Sequence, residues 1–269
     1  KPVPLSRWRA PVSKQPCDER FEELWEEDDL RNRSALQFLS KECRASMNIF
    51  PNEPRFQYYL SVALTELHFP IGSRKVDDKL YEEGKSLRNK SIQTGFPLAQ
   101  LRLVWERMNR EEYSSARKLG EAVASADPRA AFEYAQVLID DDDQDIVDQP
   151  RGVFWLTTAA ESGVVRAQFD LGRRYEKGIG VRSDIAQAAK WYEVAAKRGN
   201  DRAQNRIAHM YLEGKGVTID RAKGMRYIRL SAKNGHEGAM YSLGYFYKNG
   251  KYVVRNTEKA IEWFERSAK

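Results

Sequence analysis

Three histidines and two cysteines are the side chains in this sequence best suited to nucleophilic or acid–base chemistry. The histidines are His68, His209 and His236, and none pairs with a serine or cysteine in a recognisable nucleophile arrangement. The two cysteines, Cys17 and Cys43, cannot form a metal site by themselves. The sequence therefore predicts a protein that is not an enzyme and that has no catalytic residues, no metal and no cofactor.

Two further segments resemble ligand-binding motifs but lack residues that those motifs require. A helix–loop–helix calcium loop needs glycine at its sixth position and glutamate at its twelfth. Counted from Asp140, the start of an acidic run, these positions hold Asp145 and Arg151. Gly178 and Gly180 do not form a phosphate-binding loop, because no strand precedes them. We interpret the acidic run as a solvated loop and the glycines as a connection between two helices.

The elements that must position any site are copies of one pattern, repeated every 36 residues. Ala167, Ala203 and Ala239 occupy equivalent positions in three copies. The same interval relates further small, aromatic and glycine positions, among them Tyr175, Tyr211 and Tyr247; Gly178, Gly214 and Gly250; and Trp191, Tyr227 and Trp263. A fixed period of this length is typical of stacked helical hairpins, each of which is covered by its neighbours.

Residues 167–199 show how one copy is expected to fold. Leu171 and Tyr175 lie four residues apart and so share one face of a first helix. Gly178 suits the left-handed conformation that follows a helix C-terminus. Asp184 can accept hydrogen bonds from the free N–H groups at the start of a second helix. Each copy therefore predicts an antiparallel helical hairpin.

This pattern resembles the Sel-like repeat family, a relative of the tetratricopeptide repeats, over residues 167–199, 203–235 and 239–268. The sequence departs from the family motif at Tyr252, which replaces the second loop glycine. The resemblance implies an all-α fold: a right-handed α-solenoid of about five to six stacked antiparallel helical hairpins. It also implies an adaptor function, since members of the family mostly serve as adaptors that bind other proteins.

The pattern weakens toward the N-terminus and divides the chain into three parts. We expect an N-terminal arm and capping helix in residues 1–50, degenerate helical repeats in 51–128 and Sel-like repeats in 129–269. The capping helix is expected at Ser34–Met47, after an extended arm, Lys1–Gln15. No apolar run is long enough to span a bilayer, so we expect no membrane insertion.

The two cysteines bear on the compartment in which the protein works. In a reducing compartment Cys17 and Cys43 would be incidental thiols. In an oxidising one, a disulfide between them could tie the N-terminal arm to the first long helix. The N-terminal segment that holds these cysteines also resembles the cysteine-bearing segment before Sel-like arrays in some exported bacterial proteins. Some of those proteins carry an upstream caspase-like domain. That resemblance implies a periplasmic or secreted location; the alternative is a cytoplasmic one.

Charge is distributed unevenly along the chain. Residues 151–269 contain 23 basic and 12 acidic residues, a net charge of +11, whereas residues 1–150 carry −5. A basic half could attract nucleic acid. We favour a solvated helical surface instead, because the basic residues are spread over both helices of each copy.

Candidate partner-binding positions follow by analogy with tetratricopeptide-like stacks, in which the first helix of each hairpin lines a concave face. The candidates are Arg129, Phe132, Gln136, Arg166, Phe169, Arg173, Arg202, Asn205, His209, Tyr241 and Tyr245. Aromatic and arginine side chains are those that interface hot spots favour. The alternative is that Phe169 and Tyr241 pack between adjacent first helices. We expect the repeating residues Leu171, Tyr175, Trp191 and Tyr227 to lie in the core.

The leading hypothesis is a non-enzymatic scaffold that binds a protein or peptide in this groove. Two alternatives stay open. The chain could be an accessory region of a larger exported enzyme, such as a caspase-like peptidase, or a polysaccharide- or nucleic-acid-binding module. The sequence does not indicate the oligomeric state.

Overall fold

The computed structural model describes residues 14–26, 33–67, 78–140 and 148–268. Within these ranges the chain forms fourteen α-helices and no strand. The helices are α1 (Pro16–Glu26), α2 (Arg33–Ile49), α3 (Pro54–Leu67), α4 (Asp78–Gln93), α5 (Pro97–Met108), α6 (Tyr113–Ala126), α7 (Pro128–Asp140), α8 (Gln149–Glu161), α9 (Val165–Lys177), α10 (Ile185–Lys197), α11 (Asp201–Glu213), α12 (Arg221–Lys233), α13 (Glu237–Asn249) and α14 (Thr257–Ser267). The predicted all-α solenoid fold is confirmed, while its right-handedness stays a prediction.

The helices fall into two compact units. The N-terminal unit runs to Val137, and the C-terminal unit comprises Leu138–Asp140 and the chain from Asp148 onward. In each unit, helices that follow one another in sequence pack together as hairpins and as neighbouring hairpins. Leu138 and Ile139, at the end of α7, pack on Gly152 of α8.

The predicted start and stop signals of the repeats are confirmed. Three second helices, α10, α12 and α14, begin after a residue whose side-chain oxygen accepts from the backbone N–H three residues on. These cap residues are Asp184, Asp220 and Asn256, with N–H···O distances of 2.8–2.9 Å. The first helices α9, α11 and α13 each end at a left-handed glycine: Gly178, Gly214 and Gly250.

Inside each of these hairpins a small residue of the first helix lets a side chain of the facing helix approach closely. A side-chain carbon at Gly172 would lie 2.8 Å from the ring of Tyr192, and one at Gly244 would lie 2.7 Å from Phe264. Leu171 and Tyr227 are buried as expected. Tyr175 and Trp191 are only half-buried, so they border the core without being enclosed by it.

The N-terminal part differs from the expectation of a single capping helix. Residues 16–26, for which no helix was predicted, form α1, and the longer α2 follows it. A disulfide joins Cys17 of α1 to Cys43 of α2, and both residues are fully buried. The extended arm falls mainly on residues 1–13, which lie outside the described residues, as do His68 and most of the acidic run. No helix in the described ranges combines the length and the apolar character that crossing a membrane requires.

Candidate functional site

The first helices of the last three repeats, α9, α11 and α13, are linked to one another through their side chains. Arg206 of α11 lies 4.0 Å from the carboxylate of Glu176 on α9. Ser242 Oγ of α13 lies 3.3 Å from His209 Nε2 of α11. These contacts define one continuous face, which we call the first-helix face.

A cleft of about 270 Å³ opens on this face between α11 and α13. The structure brings three of the predicted residues together there: His209, Tyr241 and Tyr245. The cleft is also lined by residues that were not predicted from the sequence, among them Ser242 and Phe246 on α13 and Lys251 and Tyr252 in the loop that follows. Ser242 and Phe246 adjoin predicted positions and could have been found from the helical period.

His209 forms the polar part of the cleft. The Ser242 hydroxyl donates to the Gly238 carbonyl at 2.8 Å, so its oxygen is available to accept from His209 Nε2. Burial lowers the pKa of His209; Glu213 opposes this effect, while the positive charges of Arg206, Lys251 and Lys215 reinforce it. His209 is therefore a neutral group at pH 7, in surroundings where cations outnumber the carboxylate.

Tyr252 closes one side of the cleft in an uncommon backbone conformation. Its φ is +64°, in the left-handed region, where the corresponding residues of the two preceding repeats are Gly180 (φ +71°) and Gly216 (φ +69°). The Tyr252 ring packs edge-on against Phe246, with ring centroids 5.1 Å apart, and Lys251 Nζ lies 5.2 Å from the Tyr252 ring centroid. A left-handed tyrosine costs about 1–2 kcal/mol, and residues held in this way cluster at binding sites.

The cost of this conformation predicts a difference between two substitutions at Tyr252. Both Tyr252→Ala and Tyr252→Gly remove the ring, but only glycine adopts a positive φ without strain. We expect the glycine variant to have a free energy of unfolding about 1 kcal/mol higher than the alanine variant. Urea unfolding of the two proteins measures this difference. Equal stabilities would contradict the assigned backbone conformation.

The other candidates on the first-helix face do not enter the cleft. Phe169 is half-buried, with its ring 5.6 Å from that of Tyr192 on α10, the second helix of the same hairpin. Arg173 lies 3.7 Å from Asp170 of its own helix. Arg166 and Asn205 are half-buried and Arg202 is exposed.

Two of the three candidates on α7, Arg129 and Phe132, contact α1, and Phe132 is buried, which corrects its assignment to an open surface. Phe132 is only 2% exposed and meets the Trp25 ring edge-on, with centroids 5.6 Å apart. Arg129 Nη2 lies 3.4 Å from Asp127 Oδ2, and Nη1 lies 4.0 Å from Glu22 Oε1. The Arg129 Cζ atom lies 5.9 Å from the ring centroid of Tyr59. Gln136 is half-buried. Phe132 is thus a core residue, because α1, a helix that the repeat pattern does not predict, packs on it.

The second helices support the first-helix face with a partly buried polar cluster. Lys223 Nζ donates to Glu193 at 2.8 Å, and the Tyr211 hydroxyl donates to the other oxygen of the same carboxylate at 2.8 Å. Burial would raise the pKa of Glu193, but the hydrogen bonds from Lys223 and Tyr211 prevail and lower it to about 2. Lys223 thereby ties α12 to both α10 and α11.

No cluster of three or more histidine, cysteine, aspartate or glutamate residues suited to a metal occurs in the described part of the chain. Helical hairpins that repeat at a fixed period and stack on one another define the class of helical-repeat proteins. The Sel1 repeat model matches residues 128–164, 165–200, 201–236 and 238–269, more than half of the chain. The chain belongs to the Sel1 repeat family, whose members are typically non-enzymatic scaffolds with interaction roles.

One solved structure of a similar protein agrees with this fold. A Sel1 repeat protein from Oxalobacter formigenes is 22% identical, with a TM-score of 0.61, and the match covers 96% of this chain and 98% of that one. A putative Sel1 repeat protein from Klebsiella pneumoniae is a weaker match, 18% identical with a TM-score of 0.42, covering 82% and 96%. No curated protein matches the chain.

Proposed function

We propose that this protein is a non-enzymatic scaffold that binds a segment of a partner protein on the first-helix face, with the α11–α13 cleft as the centre of the contact. The observation that carries the proposal is the exposure of two large aromatic side chains at the cleft. Tyr241 is 58% exposed and Tyr245 is 44% exposed, although both belong to a well-packed helix whose other side is buried.

Physical reasons connect that exposure to binding. Tyrosine gives a large contact area with little conformational entropy to lose, and it is enriched at the energetic centres of protein interfaces. A rigid, pre-formed cleft lowers the ordering cost of association. The neutral His209 beside the rings offers a polar anchor for a ligand that covers it.

A displayed library of random dodecapeptides tests the proposal while the partner is unidentified. We expect selection on the wild-type protein to enrich peptides whose binding weakens about tenfold or more on the double variant Tyr241→Ala/Tyr245→Ala. The matched control is Phe154→Ala, which removes an aromatic that is 60% exposed on α8. Peptides that bind wild type and both variants equally would refute the assignment of the face.

The disulfide supports a further part of the proposal, which concerns the compartment. Disulfides persist in oxidising compartments and are rare in the cytosol. Because the Cys17–Cys43 bond is fully buried, it ties α1 to α2 from within the N-terminal unit. We accordingly propose a periplasmic or secreted setting for the working protein.

A further inference from the structure

We infer that the α11–α13 cleft accepts an aromatic side chain from an acidic amphipathic helix of the partner. This inference depends on the proposed function and specifies the chemistry of the partner. It rests on the way the chain fills comparable positions with its own helix α1.

Helix α1 is an acidic helix with aromatic anchors. Its sequence holds Asp18, Glu19, Glu22 and Glu23 together with Phe21 and Trp25. The Phe21 ring stacks on that of Tyr59 of α3 at 3.9 Å between centroids, and the Trp25 ring meets Phe132 of α7. Around these anchors, Asp18 lies 3.4 Å from Arg55 and Glu22 lies 4.0 Å from Arg129. Within this chain, an acidic helix with aromatic side chains therefore covers the first helices α3 and α7.

The positions that receive α1 recur in the later repeats. Phe132, the residue under Trp25, is the fifth residue of its helix, and Tyr241 is the fifth residue of α13. Arg129, the partner of Glu22, is the second residue of its helix, as Arg202 is in α11. Phe132 is covered by α1, whereas Tyr241 is exposed beside an open cleft.

The charges at the cleft favour an acidic ligand over a cationic one. Four aromatic rings could in principle cage a cation. However, Lys251 already lies against the Tyr252 ring, and Glu213 forms a 2.7 Å ion pair with Lys215. Residues 151–269 also carry a net charge of +11, which would attract an acidic segment over a longer range. A cleft of about 270 Å³ is large enough for one aromatic side chain, not for a folded surface.

The direct probe is a fluorescein-labelled peptide with the sequence of residues 16–26 and Cys17→Ser, measured by fluorescence anisotropy against the whole protein. We expect saturable binding that weakens about tenfold when the peptide carries Trp25→Ala, and that disappears when its acidic residues become lysine. On the protein, Tyr241→Ala and Lys251→Ala should each weaken binding several-fold. The matched controls Phe154→Ala and Lys190→Ala, both at exposed positions on other helices, should leave it unchanged.

Three results would overturn the inference: no binding, equal binding of the lysine-substituted peptide, or binding indifferent to Tyr241→Ala. The last would place the peptide elsewhere, for example in exchange with α1 itself. The library selection separates this failure from failure of the proposed function. Selected peptides whose binding depends on Tyr241 and Tyr245, but which lack acidic and aromatic residues, would refute this inference alone. If no selected peptide depends on Tyr241 and Tyr245, the inference and the proposed function are both refuted.

Discussion

Replacing Tyr192 by alanine lowers the free energy of unfolding by about 4 kcal/mol, the largest effect we expect from one substitution. The Tyr192 side chain is fully buried and fills the space that Gly172 leaves open in the facing helix. Its hydroxyl donates to Glu176 at 2.6 Å, so the truncation also removes a partly buried hydrogen bond to a carboxylate. Since α9 and α10 have neighbours on both sides, little relaxation can close the cavity.

The repeat supplies the control for this prediction. Phe264 stands at the equivalent position of the last repeat and packs on Gly244, but it is only half-buried. We expect Phe264→Ala to cost about half as much, because a partly exposed ring loses less burial. Urea unfolding followed by far-UV circular dichroism measures both. Equal losses at the two positions would show that the centre of the array packs no more tightly than its end.

Replacing both cysteines by alanine lowers the free energy of unfolding by about 3–4 kcal/mol. Cys17 and Cys43 are 26 residues apart, and closing a loop of that length restricts the unfolded chain by an amount of this order. Alanine is the suitable replacement because both sites are fully buried and a serine hydroxyl there would need a hydrogen-bond partner.

The loss should fall on the N-terminal unit. Without the disulfide, α1 retains the Phe21–Tyr59 and Trp25–Phe132 contacts but loses its covalent link to α2. Hydrogen exchange should therefore accelerate most in α1, while the amides of α9–α14 stay protected. The double variant Ser34→Ala/Gln37→Ala, at two exposed positions of α2, controls for general perturbation. A loss below about 1 kcal/mol, or uniform acceleration along the chain, would contradict this role.

The period of 36 residues determined the repeat architecture from the sequence alone. The repeated residues act through the local backbone. Gly178 ends a helix, Asp184 caps the start of the next one, and Gly172 lets the facing helix pack closely, as the sequence predicted. Local rules also predicted that His209, Tyr241 and Tyr245 lie on first helices, because helix periodicity fixes the direction of a side chain.

Only the tertiary structure decided what covers those positions. Phe132 and Tyr241 are both the fifth residue of a first helix, yet one is buried under Trp25 and the other is exposed. The difference comes from α1, a short acidic helix outside the period, whose docking depends on contacts with distant residues. The left-handed Tyr252 is similar: the sequence marked it as a departure from the pattern, and only the fold turned its ring toward the cleft. A repeat specifies the interactions within and between its copies, whereas a site is built from the residues that do not repeat.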